Sequence, residues 1–125
     1  MITGVHTLVY ADDAEAARAF FRDVLDWPFV DAHGGWLIFG TGPSELGVHP
    51  TDTEHGGQGF EAPQHHEISL LCDDIEGTVA DLTARGARFN GAIEDRGFGR
   101  TIMLEIPGAG EMMLYQARHP LACNL

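Results

Sequence analysis

The two halves of this chain repeat one pattern of residues, and that repeat restricts the fold more than any other feature. Residues 5–15 read VHTLVYADDAE, and residues 66–76 read HEISLLCDDIE. A shift of 61 residues superimposes the two Asp-Asp pairs, places Glu15 on Glu76, and places His6 on Glu67. Such a repeat indicates that one supersecondary unit occurs twice and that its copies bury their apolar faces together.

Each copy predicts a strand, then a helix, then three more strands. The opening residues alternate in polarity, which is typical of a strand with one buried face. An Asp-x-x-Glu motif follows, Asp12 with Glu15 and Asp73 with Glu76, and its spacing predicts a capping box. Apolar residues at helical spacing come next. Gly and Pro residues then separate three predicted strands in each half, at residues 29–32, 35–39 and 45–49, and at residues 88–93, 100–106 and 111–116.

The predicted order is therefore βαβββ, twice, in an α+β chain. Residues 1–50 form the first module, residues 51–63 a linker rich in Gly and polar residues, and residues 64–125 the second module with a C-terminal tail. At 125 residues the chain has the size of one compact domain. Two modules this small are expected to share one core.

The composition excludes several classes of partner. Seven arginines, no lysine and nineteen carboxylates give a formal net charge of −12. Such a surface repels nucleic acid and anionic membranes and attracts a cationic small molecule or a metal ion; the alternative is that acidity serves only solubility. No segment approaches the roughly 20 apolar residues that span a bilayer, and no secretory signal is evident. Because two cysteines are too few for a disulfide framework, we expect a cytoplasmic protein.

Alternation along four of the predicted strands places ionisable residues on one face of each strand. The opposite faces are apolar and are expected to pack under the helices. If the halves pair as their similarity suggests, the polar faces converge on one concave surface. The alternative is a polar sheet face that only contacts water. The side chains in question are His6, Glu45, His49, Glu67, Glu111 and Tyr115.

Four segments carry a family resemblance: GVHTLVYADD at residues 4–13, AFFRDVLDW at 19–27, CDDIEGTV at 72–79 and PGAGEMMLYQ at 107–116. They resemble the vicinal oxygen chelate superfamily, which includes glyoxalases, bleomycin-resistance proteins and extradiol dioxygenases. The resemblance covers nearly the whole chain. It implies the glyoxalase/bleomycin-resistance fold, in which two βαβββ modules form a curved mixed β-sheet cup, but a fold does not define an activity.

The resemblance also implies where a metal ion would bind. In metal-dependent relatives the ligands are a His near the start of each half and a Glu in a closing strand. His6 matches the first position, Glu67 occupies the second, and Met113 occupies the closing one, where a thioether suits a hard divalent ion poorly. The conditional metal set is therefore His6, Glu67 and Glu111, with Glu45 as a further candidate. We expect no cofactor; the alternative is a divalent Fe, Zn, Mn or Ni ion.

Two functions from different classes follow. The first is metal-free sequestration of a drug-like or natural-product molecule, cationic or aromatic, as in the bleomycin-resistance branch, where it confers antibiotic resistance. The second is a metal-dependent enzyme of the glyoxalase or extradiol dioxygenase type, with Glu45 or Glu67 as general base. Aromatic residues would stack on the ligand, and an arginine would bind an acidic group on it. The ligand-binding candidates are Trp36, His49, Phe60, Phe98, Arg100 and Tyr115.

A homodimer is also predicted. Two βαβββ units leave sheet edges that must be paired or covered, and relatives commonly complete their cavities by association. A regulatory or purely structural module is the remaining interpretation, favoured only if neither a metal ion nor a small ligand binds.

Overall fold

The computed structural model describes residues 6–47, 52–55, 58–61 and 66–122, without side chains in the two short segments. The helices are α1 (Ala14–Asp23) and α2 (Ile75–Ala84). The strands are β1 (Phe29–Asp31), β2 (Leu37–Phe39), β3 (Asp52–His55), β4 (Gln58–Glu61), β5 (Ser69–Leu71), β6 (Phe89–Asp95), β7 (Gly99–Ile106) and β8 (Gly110–Ala117). Neither helix in this part of the chain is long and apolar enough to cross a membrane.

The second half has the predicted βαβββ order. β5 comes before α2, and β6, β7 and β8 follow it, in one four-stranded sheet with the order β5-β8-β7-β6. β5 pairs in parallel with β8, whereas the β6–β7 and β7–β8 pairs are antiparallel. The sheet is therefore mixed, and the α+β fold class is confirmed.

The first half has fewer of the predicted strands. Residues 6–10 and 45–47 are both predicted to lie in strands, and neither segment is a strand in the structure. Those predictions are wrong for the described residues. β1 and β2 form a separate antiparallel pair of three residues each. Alternating side chains make a segment compatible with a strand, but a strand persists only where a neighbour satisfies its backbone N–H and C=O groups.

A hairpin that the sequence does not predict lies within residues 51–63, the predicted linker. β3 and β4 pair antiparallel there, with Asp52 opposite Glu61. Gly56 and Gly57 separate these strands in the sequence. Two glycines between short segments are a hairpin signal, which the polar composition of the segment obscures.

Both helices begin one residue later than the capping motif predicts. The side chain of Asp13 accepts a hydrogen bond from the Ala16 amide at 3.0 Å, and Asp74 caps α2 in the same way. The second Asp of each Asp-Asp pair is therefore the N-cap, because its oxygen reaches the third amide of the helix. The prediction that Asp12 and Asp73 cap the helices is wrong.

The main core lies between the helices and one face of the four-stranded sheet. The buried members of its largest cluster are Ala17, Phe20, Phe21, Leu82, Ala87, Leu104, Ile106 and Met112. Three of these side chains belong to α1, so the helix of the first half packs on the sheet of the second. The Asp13 amide also donates a hydrogen bond to the Gly108 carbonyl at 3.1 Å, which joins the start of α1 to the β7–β8 turn. Apolar burial of this kind is the dominant favourable contribution to folding.

The other face of the sheet is not covered by the helices, and we call it the free face. Met112 and Leu114 of β8 are buried in the core, as their alternation predicts. Their neighbours along the strand point to the free face. The free-face residues of β7 and β8 are Met103, Glu105, Glu111, Met113 and Tyr115, together with Thr101, which is buried.

Candidate ligand-binding site

Two methionines occupy the centre of the free face. Met103 and Met113 are directly opposite each other on β7 and β8, and both are partly buried. Methionine is flexible and polarisable, so a pair of such side chains adapts its surface to an irregular ligand. Met113 occupies the position where the resemblance implies a metal-binding Glu. Together with Met103 it instead forms an adaptable apolar surface.

Four side chains gather at one end of the free face: Glu45, Phe98, Tyr115 and His119. We call them the aromatic–acid cluster. The Phe98 and Tyr115 rings meet edge to face, with centroids 5.8 Å apart and an interplanar angle of 66°. The His119 ring lies 6.0 Å from that of Tyr115, and its Nε2 atom is 3.8 Å from Oε1 of Glu45. The structure thus brings together three predicted site residues and adds His119, which the sequence analysis did not identify.

The carboxylate of Glu45 is held in place by the C-terminal segment. Its Oε2 atom accepts a hydrogen bond from the Ala122 amide at 2.8 Å, across 77 positions of sequence. His119 is fixed in turn by a contact of 2.9 Å between its Nδ1 atom and the Pro120 carbonyl oxygen. The aromatic–acid cluster therefore combines Tyr115 of β8 and Phe98 of the β6–β7 turn with a loop of the first half and the segment that follows β8.

The Tyr115 ring owes its position to Gly99 on the neighbouring strand. A Cβ atom at residue 99 would overlap the Tyr115 ring and would lie 2.7 Å from the Gln116 carbonyl oxygen. Glycine is the residue that lets a ring and a second backbone approach β7 this closely. Gly99 is thus required for the geometry of the cluster, although it carries no functional group.

Burial, and secondarily the negative charge of Glu45, raise the pKa of Tyr115 above its ordinary value of 10.0. In a Tyr10→Phe background, where Tyr115 is the remaining tyrosine, we expect Glu45→Gln to lower this pKa. The Gln side chain keeps an oxygen that accepts the hydrogen bond from the Ala122 amide, and the substitution removes the negative charge of Glu45. Ultraviolet absorbance titration of the phenolate measures the effect.

The same shift has a consequence for stability. Because the pKa of Tyr115 is higher in the folded chain than in the unfolded chain, the unfolded state loses its proton first as the pH rises. Stability should therefore decline as the pH rises from about 10, the ordinary tyrosine pKa, through the folded value. An unchanged Tyr115 pKa in the Glu45→Gln variant would show that Glu45 does not act on the phenol.

An open cleft of about 600 Å³ lies at the other end of the free face. We call it the acidic cleft. Its polar lining residues are Tyr10, Asp12, Asn90, Glu105 and Glu111. Glu105 and Glu111 are directly opposite each other on β7 and β8, and the Asn90 amide donates a hydrogen bond to Glu111. Like charges opposite each other on neighbouring strands are destabilising, so a bound cation would relieve their repulsion.

The sequence contains a signal for Glu105 that the predicted site did not use. Glu105 and Glu111 stand at equal distances from the centre of the β7–β8 turn, so hairpin pairing places them face to face. No sequence signal predicts that Asp12 lines the acidic cleft, because its position depends on how the start of α1 contacts the β7–β8 turn.

Two other predicted ligand-binding residues lie away from the aromatic–acid cluster. The guanidinium of Arg18 in α1 lies over the Trp36 ring, 4.7 Å from its centroid. Arg100 projects from β7 on the side of the helices and forms an ion pair with Glu76 of α2. That hydrogen-bonded partner raises the pKa of the Arg100 guanidinium. Arg100 is therefore on the opposite face of the sheet from Tyr115.

The conditional metal ligands do not form a metal site in the described part of the chain. No group of three or more His, Cys, Asp or Glu side chains there is arranged to hold a metal ion. His6 is exposed in the segment that is not a strand, and Glu111 is hydrogen-bonded to Asn90. His6, Glu67 and Glu111 are thus not gathered into such a group among the described residues. His49 and the side chain of Phe60 lie outside the described residues.

Comparison with known proteins identifies a family and a set of similar structures. The family model "Glyoxalase/Bleomycin resistance protein/Dioxygenase superfamily" matches residues 4–108. No curated protein matches the chain.

Three solved structures illustrate the similarity of fold. An antibiotic-binding protein, TnmS3 from Streptomyces sp. CB03234, is 21% identical, with coverage of 93% of this chain and 97% of that one and a TM-score of 0.62. A lactoylglutathione lyase from Agrobacterium tumefaciens is 17% identical, with coverage of 91% and 92% and a TM-score of 0.59. A superfamily member from Sphaerobacter thermophilus DSM 20745 is 22% identical, with coverage of 92% and 98% and a TM-score of 0.58. At these identities the similarity extends to the fold alone.

Proposed function

Because the chain belongs to the glyoxalase/bleomycin resistance protein/dioxygenase superfamily, we propose that it binds and sequesters a small aromatic cation without a metal ion. One observation carries this proposal. Tyr115 of the aromatic–acid cluster and Glu111 of the acidic cleft lie on the same face of β8, four residues apart. At the rise of a β-strand this separation is roughly 13 Å, the length of a drug-sized molecule.

The free face offers a different contact to each part of such a ligand. A planar ring system would pack against Phe98 and Tyr115, because aromatic pairs favour edge-to-face and offset contacts. The middle of the ligand would rest on Met103 and Met113. A cationic group would lie in the acidic cleft, between the opposed carboxylates of Glu105 and Glu111.

The charge of the whole chain favours the same class of ligand. With a net charge of −12 and no lysine, the protein attracts cations before they reach the site. TnmS3, which has the same fold, is an antibiotic-binding protein. We therefore propose an antibiotic-like natural product as the ligand, with sequestration as the mode of action.

Titration calorimetry tests this proposal, with bleomycin as the cationic glycopeptide and ethidium as the planar polycyclic cation. We expect one of them to bind, and Tyr115→Ala to weaken that binding by roughly 3- to 10-fold, as the loss of an aromatic pair predicts. Glu111→Gln should weaken it as well. Asp81→Asn on α2 removes the same charge from a surface ion pair with Arg85 and should leave binding unchanged. Equal losses in Glu111→Gln and Asp81→Asn would contradict a local role for the cleft.

The alternative function, a metal-dependent enzyme, makes a different prediction about metal content. For a sequestering protein we expect less than about one tenth of an equivalent of Fe, Zn, Mn or Ni after purification without chelator, because His6, Glu67 and Met113 form a poor donor set. Elemental analysis measures it. Stoichiometric metal in the wild type, lost in His6→Ala, would overturn the metal-free proposal in favour of the enzyme.

We also propose that the protein is a homodimer. On one face of the β1–β2 pair, Val30 and Ile38 are directly opposite each other and exposed, with Val30 64% exposed. Two-stranded sheets are marginally stable alone, and contiguous exposed apolar surface marks an interaction site. Analytical ultracentrifugation should give about twice the 13.6 kDa chain mass. Val30→Asp should shift the protein toward monomer and Leu46→Asp should not; a wild-type monomer would contradict the proposal.

A further inference from the structure

The turn between β6 and β7 is tied to the chain that follows β8. Arg118, the residue after β8, forms an ion pair with Asp95. Its Nη1 atom donates to the Gly97 carbonyl at 3.4 Å, and its backbone amide donates to the Phe98 carbonyl at 3.1 Å. Arg118 thus bonds to three residues at this turn, to Asp95 and Gly97 by its guanidinium and to Phe98 by its backbone.

The turn also has internal support. Oδ1 of Asp95 accepts a hydrogen bond from the Gly97 amide at 3.0 Å. The Arg96 amide donates a hydrogen bond to the Gly99 carbonyl at 2.9 Å. The hydrogen bonds from Arg118 and Gly97 hold the pKa of Asp95 below its ordinary value. Asp95 therefore remains a charged partner for Arg118 at neutral pH.

The hydrogen bonds of the β6–β7 turn fix the backbone that carries Phe98, an aromatic residue outside the core. Phe98 is 51% exposed, and its ring contacts Tyr115 edge to face. An exposed aromatic ring on a glycine-flanked turn gains little from burial and would otherwise sample several orientations. The bonds from Arg118 restrict the backbone that carries it. Such restriction is useful where a partner must find the ring already in place.

We propose that Arg118 is a positioning residue, which fixes Phe98 against Tyr115 before a ligand arrives and so favours ligands with a planar ring. This inference rests on the proposed function of the free face. Arg118 acts through the Asp95–Phe98 turn rather than by direct contact with the ligand. Its effect should therefore depend on the presence of Phe98 and on an aromatic group in the ligand.

The first experiment uses the free protein. Nuclear Overhauser effects between the Phe98 and Tyr115 ring protons should be present in the wild type and strongly reduced in Arg118→Ala. Arg96→Ala is the matched control, because Arg96 is an arginine of the same turn whose side chain pairs with Glu94. The control should retain the effects. Undiminished ring contacts in Arg118→Ala would overturn the inference whether or not a ligand is known.

The second experiment measures binding of ethidium, which is planar, and of spermidine, an aliphatic cation without a ring. Arg118→Ala should weaken ethidium binding roughly 3- to 10-fold, the range expected for ordering one side chain on binding. It should leave spermidine binding within about 2-fold of wild type. Arg96→Ala should change neither. In a Phe98→Ala background, Arg118→Ala should cause no further loss, which a general loss of stability would not reproduce.

The outcomes separate the inference from the function on which it rests. Equal weakening of ethidium and spermidine by Arg118→Ala, or additive losses with Phe98→Ala, would show that Arg118 does not act through the ring and would overturn the inference alone. If the wild type binds no planar cation, the proposed function fails, and with it the preference for planar ligands. The ring contacts in the free protein then still decide whether Arg118 positions Phe98.

Discussion

Replacing Gly108 by alanine should lower the free energy of unfolding by roughly 2 to 5 kcal/mol. Gly108 has a φ of +76°, in the left-handed region that L side chains rarely adopt. The added Cβ atom would lie 2.5 Å from the Asp13 carbonyl oxygen and 2.6 Å from the Asp13 Cβ atom. Because the Asp13 amide also donates to the Gly108 carbonyl, the two backbones cannot separate without moving α1 away from the β7–β8 turn. Urea denaturation followed by circular dichroism measures the loss.

Gly110, the first residue of β8 after the same turn, provides a matched control. Its φ is +77°, but an added Cβ atom there meets nothing within 4 Å. Gly110→Ala should therefore cost only the conformational strain of the left-handed region, about 1 to 2 kcal/mol. Equal losses at Gly108 and Gly110 would show that the start of α1 does not dock on the turn.

The second large effect is expected at Leu104 of β7. Leu104 is 0% exposed and belongs to the same buried cluster as Phe20 of α1 and Leu82 of α2. Leu104→Ala should lower the free energy of unfolding by roughly 2 to 5 kcal/mol, because the loss combines transfer free energy with a cavity. The midpoint of urea denaturation should fall while its slope stays constant, as expected when the mutation changes stability alone.

Leu46→Ala is the control for this substitution, since it deletes the same atoms from a side chain that is 82% exposed. We expect a change within about 0.5 kcal/mol there. A loss below about 1 kcal/mol at Leu104 would contradict a core shared by both helices, because burial of this side chain would then contribute little.

The second half of the fold could be predicted from the sequence because its signals are local and its strands find partners. Met112 and Leu114 alternate with Glu111 and Met113, and the structure buries the first pair. Residues 6–10 alternate equally well and yet are not a strand. The two segments differ in whether a neighbouring strand pairs with them. β8 pairs with β5, with Ser69 opposite Met113. Polarity alternation specifies which face of a segment is buried and does not specify the strand that pairs with it.

The candidate site was partly predictable for a similar reason. Tyr115 and Glu111 share a face by strand periodicity alone, and Phe98 is marked by the glycines on either side of it. His119 and the support of Glu45 depend on a segment after the last strand that returns to a loop 77 positions earlier. No local pattern encodes that contact. Strand alternation alone does not show that Arg100 lies on the helix side of β7, where its side chain pairs with Glu76 of α2.

The docking of α1 on β7 and β8 affects the order in which this chain acquires structure during synthesis. The N-terminal portion emerges from the ribosome first, at a pace of roughly 5 to 20 residues per second. Phe21 can then pack on Trp27 and Phe39 of the first half. The rest of the apolar side of α1, including Phe20, lacks the β7 and β8 part of its core until the last hairpin has been made. Nascent chains should consequently stay sensitive to proteases and bound to chaperones until β8 is complete. The two halves therefore differ in folding, because the helix of the first half depends on the sheet of the second.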